Sequence, residues 1–104
     1  MIRVAVFASG EGTNAENIFR HFKNHEQVEI KILCCNKADA PVINRAKEYG
    51  IDVFVFNRKD FYESEKMLLL LQGLQIEWIV LAGFLWMIPQ NFVHEFSNRI
   101  INIH

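Results

Sequence analysis

Residues 10–14, with the sequence Gly-Glu-Gly-Thr-Asn, are suited to binding an anion. Glycines let backbone N–H groups approach a ligand without interference from a Cβ atom. A helix that begins beside them directs its free N–H groups and partial positive charge to the same point. The segment is neither a Walker loop nor a dinucleotide fingerprint, and it predicts a site for one phosphate. The alternative is a tight turn in which Thr13 and Glu16 form a capping box.

A second segment, residues 82–89, is apolar although its position predicts a loop. It reads Ala-Gly-Phe-Leu-Trp-Met-Ile-Pro. An apolar loop with a glycine near its start can line a pocket for a flat aromatic ring. The alternative is that these side chains only fill the core beneath the start of a helix.

The third segment consists of Asn102, Ile103 and His104. Alternation along a strand puts Asn102 and His104 on the same face. An imidazole titrates near neutral pH and can move protons, and an amide can donate a hydrogen bond to a developing oxyanion. The pair is therefore a candidate for acid–base catalysis. The alternative is a solvated histidine beside an asparagine in a turn.

The remaining histidines and the cysteines predict no further site. His21 and His25 are four positions apart, but no carboxylate or cysteine lies at a metal-ligand spacing from them, so we expect no metal. Cys34 and Cys35 are adjacent within an apolar run. Adjacent cysteines would close a strained ring, so the sequence predicts two buried thiols in a reducing compartment.

Apolar runs of strand length alternate with amphipathic runs of helix length, which predicts a parallel sheet covered by helices. Strands are expected at residues 2–8, 28–35, 52–56, 77–82 and 99–103. The first helix follows the glycines and runs to about residue 24. The others are expected after Asp39 as N-cap, from Asp60 with Glu63 as a capping box, and at residues 89–96.

The three candidate segments follow the first, fourth and fifth predicted strands. In open parallel sheets, ligands bind beyond the carboxyl ends of the strands. If these three strands are neighbours in the sheet, the three segments converge on one crevice. The sequence alone does not give the strand order, so this convergence is a hypothesis.

The composition limits the classes of protein and of binding partner that fit this chain. The chain has 104 residues, of which 51% are hydrophobic, enough for one core and one domain. The net charge is −1, which gives no electrostatic footprint for nucleic acid or for an anionic membrane. No apolar run is long enough to span a bilayer, and the first residues lack the pattern of a signal peptide. We expect a cytoplasmic protein with small-molecule partners, and no nucleic-acid or membrane partner.

Four segments taken together resemble the phosphoribosylglycinamide formyltransferase family. They are residues 9–14, 36–40, 81–85 and 102–104, in the order and spacing of the family along the whole chain. The resemblance implies a Rossmann-like open, mostly parallel sheet with helices on both faces. It also implies that residues 1–104 form the amino-terminal part of a single formyltransferase domain whose carboxy-terminal part is absent. An apolar final strand that would leave an open sheet edge agrees with a missing continuation.

The resemblance further implies an activity and the residues that serve it. The family transfers a formyl group from 10-formyltetrahydrofolate to the amine of glycinamide ribonucleotide in de novo purine biosynthesis, without a metal. The positions matching the phosphate-binding segment are Gly12, Thr13 and Asn14. The positions matching the loop that holds the folate's pterin ring, largely through backbone groups, are Leu85, Trp86, Met87 and Ile88. Asn102 matches both a folate contact and the catalytic asparagine, and His104 matches the catalytic histidine.

Two features limit what the resemblance implies, and two other functions stay open. Trp86 stands where an arginine is common in the family, and the catalytic aspartate of the family lies beyond residue 104. We therefore expect this chain alone to be an inactive fragment. The first alternative is a sibling formyltransferase or hydrolase that also uses formyltetrahydrofolate. The second is a non-catalytic phosphate- or nucleotide-binding module. A homodimer is a further open expectation, because an uncovered apolar edge favours self-association.

Overall fold

The computed structural model of the protein describes residues 1–103. His104, the predicted proton carrier, lies outside the described residues. Strands and helices alternate along the chain. Their bounds are β1 (Ile2–Ala8), α1 (Thr13–Phe22), β2 (Val28–Cys35), α2 (Pro41–Glu48), β3 (Asp52–Val55), α3 (Arg58–Tyr62), α4 (Lys66–Gly73), β4 (Trp78–Ala82), α5 (Gln90–Glu95) and β5 (Ile100–Ile103).

The five strands form one sheet in the order β3-β2-β1-β4-β5, and every neighbouring pair is parallel. The predicted α/β fold is confirmed. β1 lies at the centre of the sheet, and its residues 4–8 are buried. Such burial on both faces explains why this strand is a nearly continuous apolar run in the sequence.

Each face of the sheet packs into its own hydrophobic core. On one face, helices α3, α4 and α5 contribute Phe61, Leu71 and Phe92 to a core that also contains Phe7 of β1. On the other face, α1 and α2 contribute Phe19 and Val42. The alternation of side chains along β1 divides its residues between these two cores.

Several predicted helix starts were wrong in detail. The N-cap of α2 is Ala40, which has no side-chain hydrogen bond, so Asp39 does not cap this helix. The single helix expected from Asp60 is in fact two helices, α3 and α4. The capping box of α3 is formed by Asn57 and Asp60, because the Asn57 side chain accepts from the Asp60 N–H at 2.8 Å. The capping box therefore lies three positions before the predicted one, which paired Asp60 with Glu63.

Among residues 1–103, no helix has the length and apolar character needed to cross a membrane.

Candidate active site at the carboxyl ends of the strands

The strand order brings the ends of the first, fourth and fifth strands together. β1 pairs with β4, and β4 pairs with β5. Phe7 is in register with Leu81, and Leu81 is in register with Asn102. The expected adjacency of the three strands is therefore confirmed. The segments that follow β1 and β4 emerge at the same edge of the sheet, where parallel α/β proteins bind ligands.

The glycine-rich segment leads into α1 through one residue in the left-handed backbone conformation. Gly12 is the N-cap, with a φ of 80°, and no side chain caps the helix. The alternative of a capping box between Thr13 and Glu16 was therefore wrong. The N–H groups of Gly12, Thr13 and Asn14 meet no backbone acceptor within the part of the chain that the structure describes. We call these three N–H groups the anion cradle, because they combine free donors with the positive end of a helix.

The anion cradle opens into a small cavity of about 160 Å³. Residues 10–14 line one side, and Ala82 and Gly83 line the other. The predicted phosphate segment and the start of the predicted ring-binding loop thus share one cavity. The shared cavity follows from the pairing of β1 with β4, which the sequence alone does not establish.

Residues 83–88, which we call the apolar loop, alternate in direction. Phe84, Trp86 and Ile88 pack against the core on the α3–α5 face. Leu85 and Met87 point outward and are 71% and 84% exposed. The core-filling alternative therefore holds for every second residue, and the others are free for contact with a ligand.

The Trp86 side chain lies away from the anion cradle. Its indole packs against Phe56 and Phe61, with ring centroids at 5.8 and 6.0 Å, and the Arg58 guanidinium lies 4.5 Å above the ring. Trp86 lines a separate depression together with Asn36. A ligand confined to the cradle cavity therefore does not meet this indole.

Two hydrogen bonds hold the apolar loop. The Ser9 hydroxyl oxygen accepts from the Leu85 N–H at 3.0 Å, and the Tyr62 hydroxyl donates to the Met87 carbonyl at 2.6 Å. Ser9 is almost fully buried. The sequence predicted neither contact, although Ser9 belongs to the segment of residues 9–14 that carries the family resemblance. Neither contact has a local sequence signal, because each joins distant segments.

The predicted catalytic pair is described only in part. Asn102 lies exposed on the edge strand β5. Its register partner Leu81 belongs to the core on the α3–α5 face, so the Asn102 side chain leaves the sheet on that same face. His104 is outside the described residues, so its position relative to Asn102 stays a prediction.

The cysteines are buried free thiols, as predicted. Burial raises the pKa of the Cys34 thiol far above its usual range, and burial is also the main cause that raises the pKa of Cys35. The Cys35 thiol donates a hydrogen bond to the Lys37 carbonyl at 3.3 Å. Both groups stay protonated at neutral pH and are poor nucleophiles. Within residues 1–103, no three metal-binding side chains come together.

Comparison with known proteins agrees with this architecture. The family model described as formyl transferase matches residues 2–104. The chain belongs to the formyl transferase family. This formyl transferase chain is 37% identical to the phosphoribosylglycinamide formyltransferase of Haemophilus influenzae, over its whole length and 51% of that protein. It is 33% identical to the Bacillus subtilis protein of the same name, over its whole length and 56% of that protein.

Solved structures agree at the level of the fold. Glycinamide ribonucleotide transformylase 1 from Geobacillus kaustophilus superposes with a TM-score of 0.90 at 38% identity, covering all of this chain and 58% of that one. The resemblance read from residues 9–14, 36–40, 81–85 and 102–104 is confirmed for family and fold. The formyl transferase chain spans about half the length of the curated relatives it matches.

Proposed function

We propose that this chain contributes the substrate-binding part of a site that transfers a formyl group from 10-formyltetrahydrofolate to the amine of glycinamide ribonucleotide. The observation that carries the proposal is the anion cradle, which shares a cavity with Gly83 at the start of the apolar loop. Free N–H groups at a helix N-terminus suit a phosphate. The names of the relatives specify a phosphorylated glycinamide as their substrate.

The phosphate end of the substrate would lie on Gly12, Thr13 and Asn14. The backbone N–H groups supply the donors, and the Thr13 hydroxyl and Asn14 amide add two side-chain groups. These groups bind and orient the ribonucleotide. The amine that reacts lies at the other end of that molecule, so the cradle acts by positioning and takes no part in bond making.

The folate end would lie on the backbone of the apolar loop. The N–H groups of Trp86, Met87 and Ile88 find no acceptor among the described residues, so they are free to donate to the edge of a pterin ring. The exposed side chains of Leu85 and Met87 offer apolar contact with its face. The folate supplies the one-carbon unit, and the loop fixes where that unit is presented.

The chemical roles of Asn102 and His104 are proposed from the resemblance. The amine nitrogen attacks the formyl carbon, and the bond from that carbon to the folate nitrogen breaks. The Asn102 amide donates a hydrogen bond to the formyl oxygen as negative charge develops there. His104 takes the proton that the amine loses and returns it to the folate nitrogen. A cytoplasmic location and a homodimer stay predictions as well.

Calorimetric titration of the 104-residue chain tests the phosphate assignment. We expect glycinamide ribonucleotide to bind and the same compound without its phosphate to bind far more weakly. Replacing Asn14 by Ala removes one hydrogen bond and should weaken binding by about two- to tenfold. The matched control is Asn44→Ala, an exposed asparagine on α2, which should bind like the unchanged chain. Equal binding of the two compounds would show that the cradle does not hold the phosphate.

A non-catalytic phosphate-binding module is the second candidate. One observation favours it: the described residues that line the cradle cavity, 10–14, 82 and 83, do not include Asn102. Titration of the chain with the ribonucleotide and with a reduced folate separates the two functions. Phosphate-dependent binding of the ribonucleotide without folate binding supports a binding module, whereas binding of both compounds supports part of a formyl-transfer site.

A further inference from the structure

The carbonyl groups of the glycine-rich segment are all held by donors from helices. The Gly10 carbonyl accepts from the Val42 N–H at 3.1 Å, and the Gly12 carbonyl accepts from the Glu16 N–H at 2.7 Å. The carbonyl between them, that of Glu11, accepts from Nε of Arg45 at 2.6 Å. Arg45 is therefore the one side chain in this set of three contacts.

These contacts decide which way the N–H groups point. In a planar trans peptide, the carbonyl of one residue and the N–H of the next lie on opposite sides. Holding the Glu11 carbonyl on the α2 side turns the Gly12 N–H to the other side. A peptide free to flip would instead present a carbonyl oxygen to the cavity, and this oxygen would repel an anion. Arg45 thus fixes a donor of the anion cradle although it does not line the cavity.

Arg45 also neutralises a negative charge close to the anion cradle. Glu16 lies in the first turn of α1, and its carboxylate would oppose a second anion at the helix N-terminus. Nη1 of Arg45 lies 2.5 Å from Oε1 of Glu16, and Nη2 of Arg20 lies 3.7 Å from the same oxygen. The Arg45 pair is the shorter and the less exposed of the two, so it carries more of the neutralisation.

We propose that Arg45 is a positioning residue for phosphate binding, which orients the Glu11–Gly12 peptide and cancels the charge of Glu16. This inference rests on the proposed phosphate site. Arg45 itself does not touch the phosphate. Its two contacts make separate contributions, one geometric through Nε and one electrostatic through Nη1.

Titration of the 104-residue chain with inorganic phosphate and with ribose 5-phosphate tests the role. Arg45→Gln should weaken the affinity for both probes by about tenfold. The variant loses the charged hydrogen bond to the Glu11 carbonyl, and the Glu16 carboxylate is no longer neutralised by Arg45. Adding Glu16→Gln to this variant should recover part of the affinity at low salt, since the repelling charge is removed. The melting temperature should not recover, because the Arg45–Glu16 ion pair is absent from both the single and the double variant. A purely structural role would not separate affinity from melting temperature in this way.

Two further variants make the result decisive. Lys47→Gln removes a positive charge from the same helix at an exposed position and should leave phosphate binding unchanged. Arg45→Lys keeps the charge but loses the guanidinium group that reaches Glu11 and Glu16 together. Its phosphate affinity should therefore lie between those of the unchanged chain and Arg45→Gln. This variant also decides the question if Arg45→Gln does not fold.

Equal phosphate affinity of the unchanged chain and the Arg45 variants overturns this inference and leaves the phosphate site standing. Failure of the unchanged chain to bind either probe overturns both. Loss of affinity in Lys47→Gln equal to that in Arg45→Gln reduces the effect to net charge and also overturns the positioning role.

Discussion

Gly12 has a φ of 80°, and a Cβ atom added to it would collide with the Val42 side chain. Two other glycines near the site differ from it in an informative way. Gly83 also has a positive φ, of 70°, but an added Cβ would meet no atom of residues 1–103 within 4 Å. Gly10 has neither constraint. These three positions separate the cost of backbone conformation from the cost of the close approach of α2.

Alanine substitutions at the three glycines should therefore give graded losses of stability. For Gly83→Ala we expect the free energy of unfolding to fall by about 1–2 kcal/mol, the cost of a left-handed residue with a Cβ. Gly12→Ala should lose clearly more than about 2 kcal/mol, because the collision with Val42 adds to that cost. Gly10→Ala should stay within about 0.5 kcal/mol of the unchanged chain. Urea denaturation measures all three, and equal losses at Gly10 and Gly12 would contradict this account of the turn.

The short helix α3 holds the apolar loop in its observed form. Tyr62 at the end of α3 donates to the Met87 carbonyl, and Arg58 at its start lies over the Trp86 ring. A bend after Tyr62 separates α3 from α4. Ser9 already holds the loop at Leu85, and α3 adds a second attachment at Trp86 and Met87.

We expect Tyr62→Phe to loosen the apolar loop without unfolding the sheet. The substitution removes one hydrogen bond, worth about 0.5–1.5 kcal/mol, and keeps the aromatic contacts. Amide hydrogen exchange should become several times faster at residues 84–88 and stay unchanged in β1. Tyr49→Phe is the matched control, because the Tyr49 hydroxyl bonds to no described residue and lies on the opposite face of the sheet. If both variants give the same exchange pattern, the tether is not what orders the loop.

The strands could be predicted from sequence and the helix boundaries only in part. The run of residues 2–8 predicts a strand because every side chain from Val4 to Ala8 is buried, so local composition reports the environment directly. The break between α3 and α4 has no such signal. Tyr62, the last residue of α3, contacts Met87, which is 25 positions away.

The candidate site shows the same division between local and distant causes. The anion cradle could be predicted, since glycine at positions 10 and 12 and a following helix are local properties. The supports for the cradle and loop could not, because Arg45 reaches Glu11 over 34 positions and Ser9 reaches Leu85 over 76. The direction of Trp86 was likewise decided by a distant aromatic cluster.

The buried thiols link the stability of the whole fold to pH. Burial raises the pKa of Cys34 above the ordinary thiol value of about 8.5. The folded state therefore keeps a proton that the unfolded state releases at higher pH. The resulting stabilisation is complete below about pH 8.5 and is lost progressively as the pH rises toward the folded pKa.

Between about pH 8.5 and 10.5 we expect the free energy of unfolding to fall by about 1.4 kcal/mol per pH unit for the Cys34 thiol. Denaturant titrations at several pH values measure this slope. The comparison is with Cys34→Ala, which lacks this thiol, so the slope should be shallower. Parallel slopes for the two chains would mean that Cys34 is not the group responsible.

The cradle cavity lies between two segments that are distant from each other in the sequence. The turn after β1 forms one wall and residues 82 and 83 form the other, and β2 and β3 lie between β1 and β4 in the sequence. A nascent chain therefore has no complete cavity until β4 has docked, and long-range parallel pairing of this kind is slow. A phosphate bound between residues 10–14 and residues 82 and 83 would hold these two segments together. Phosphate occupancy of the cavity and completion of the sheet should therefore rise together.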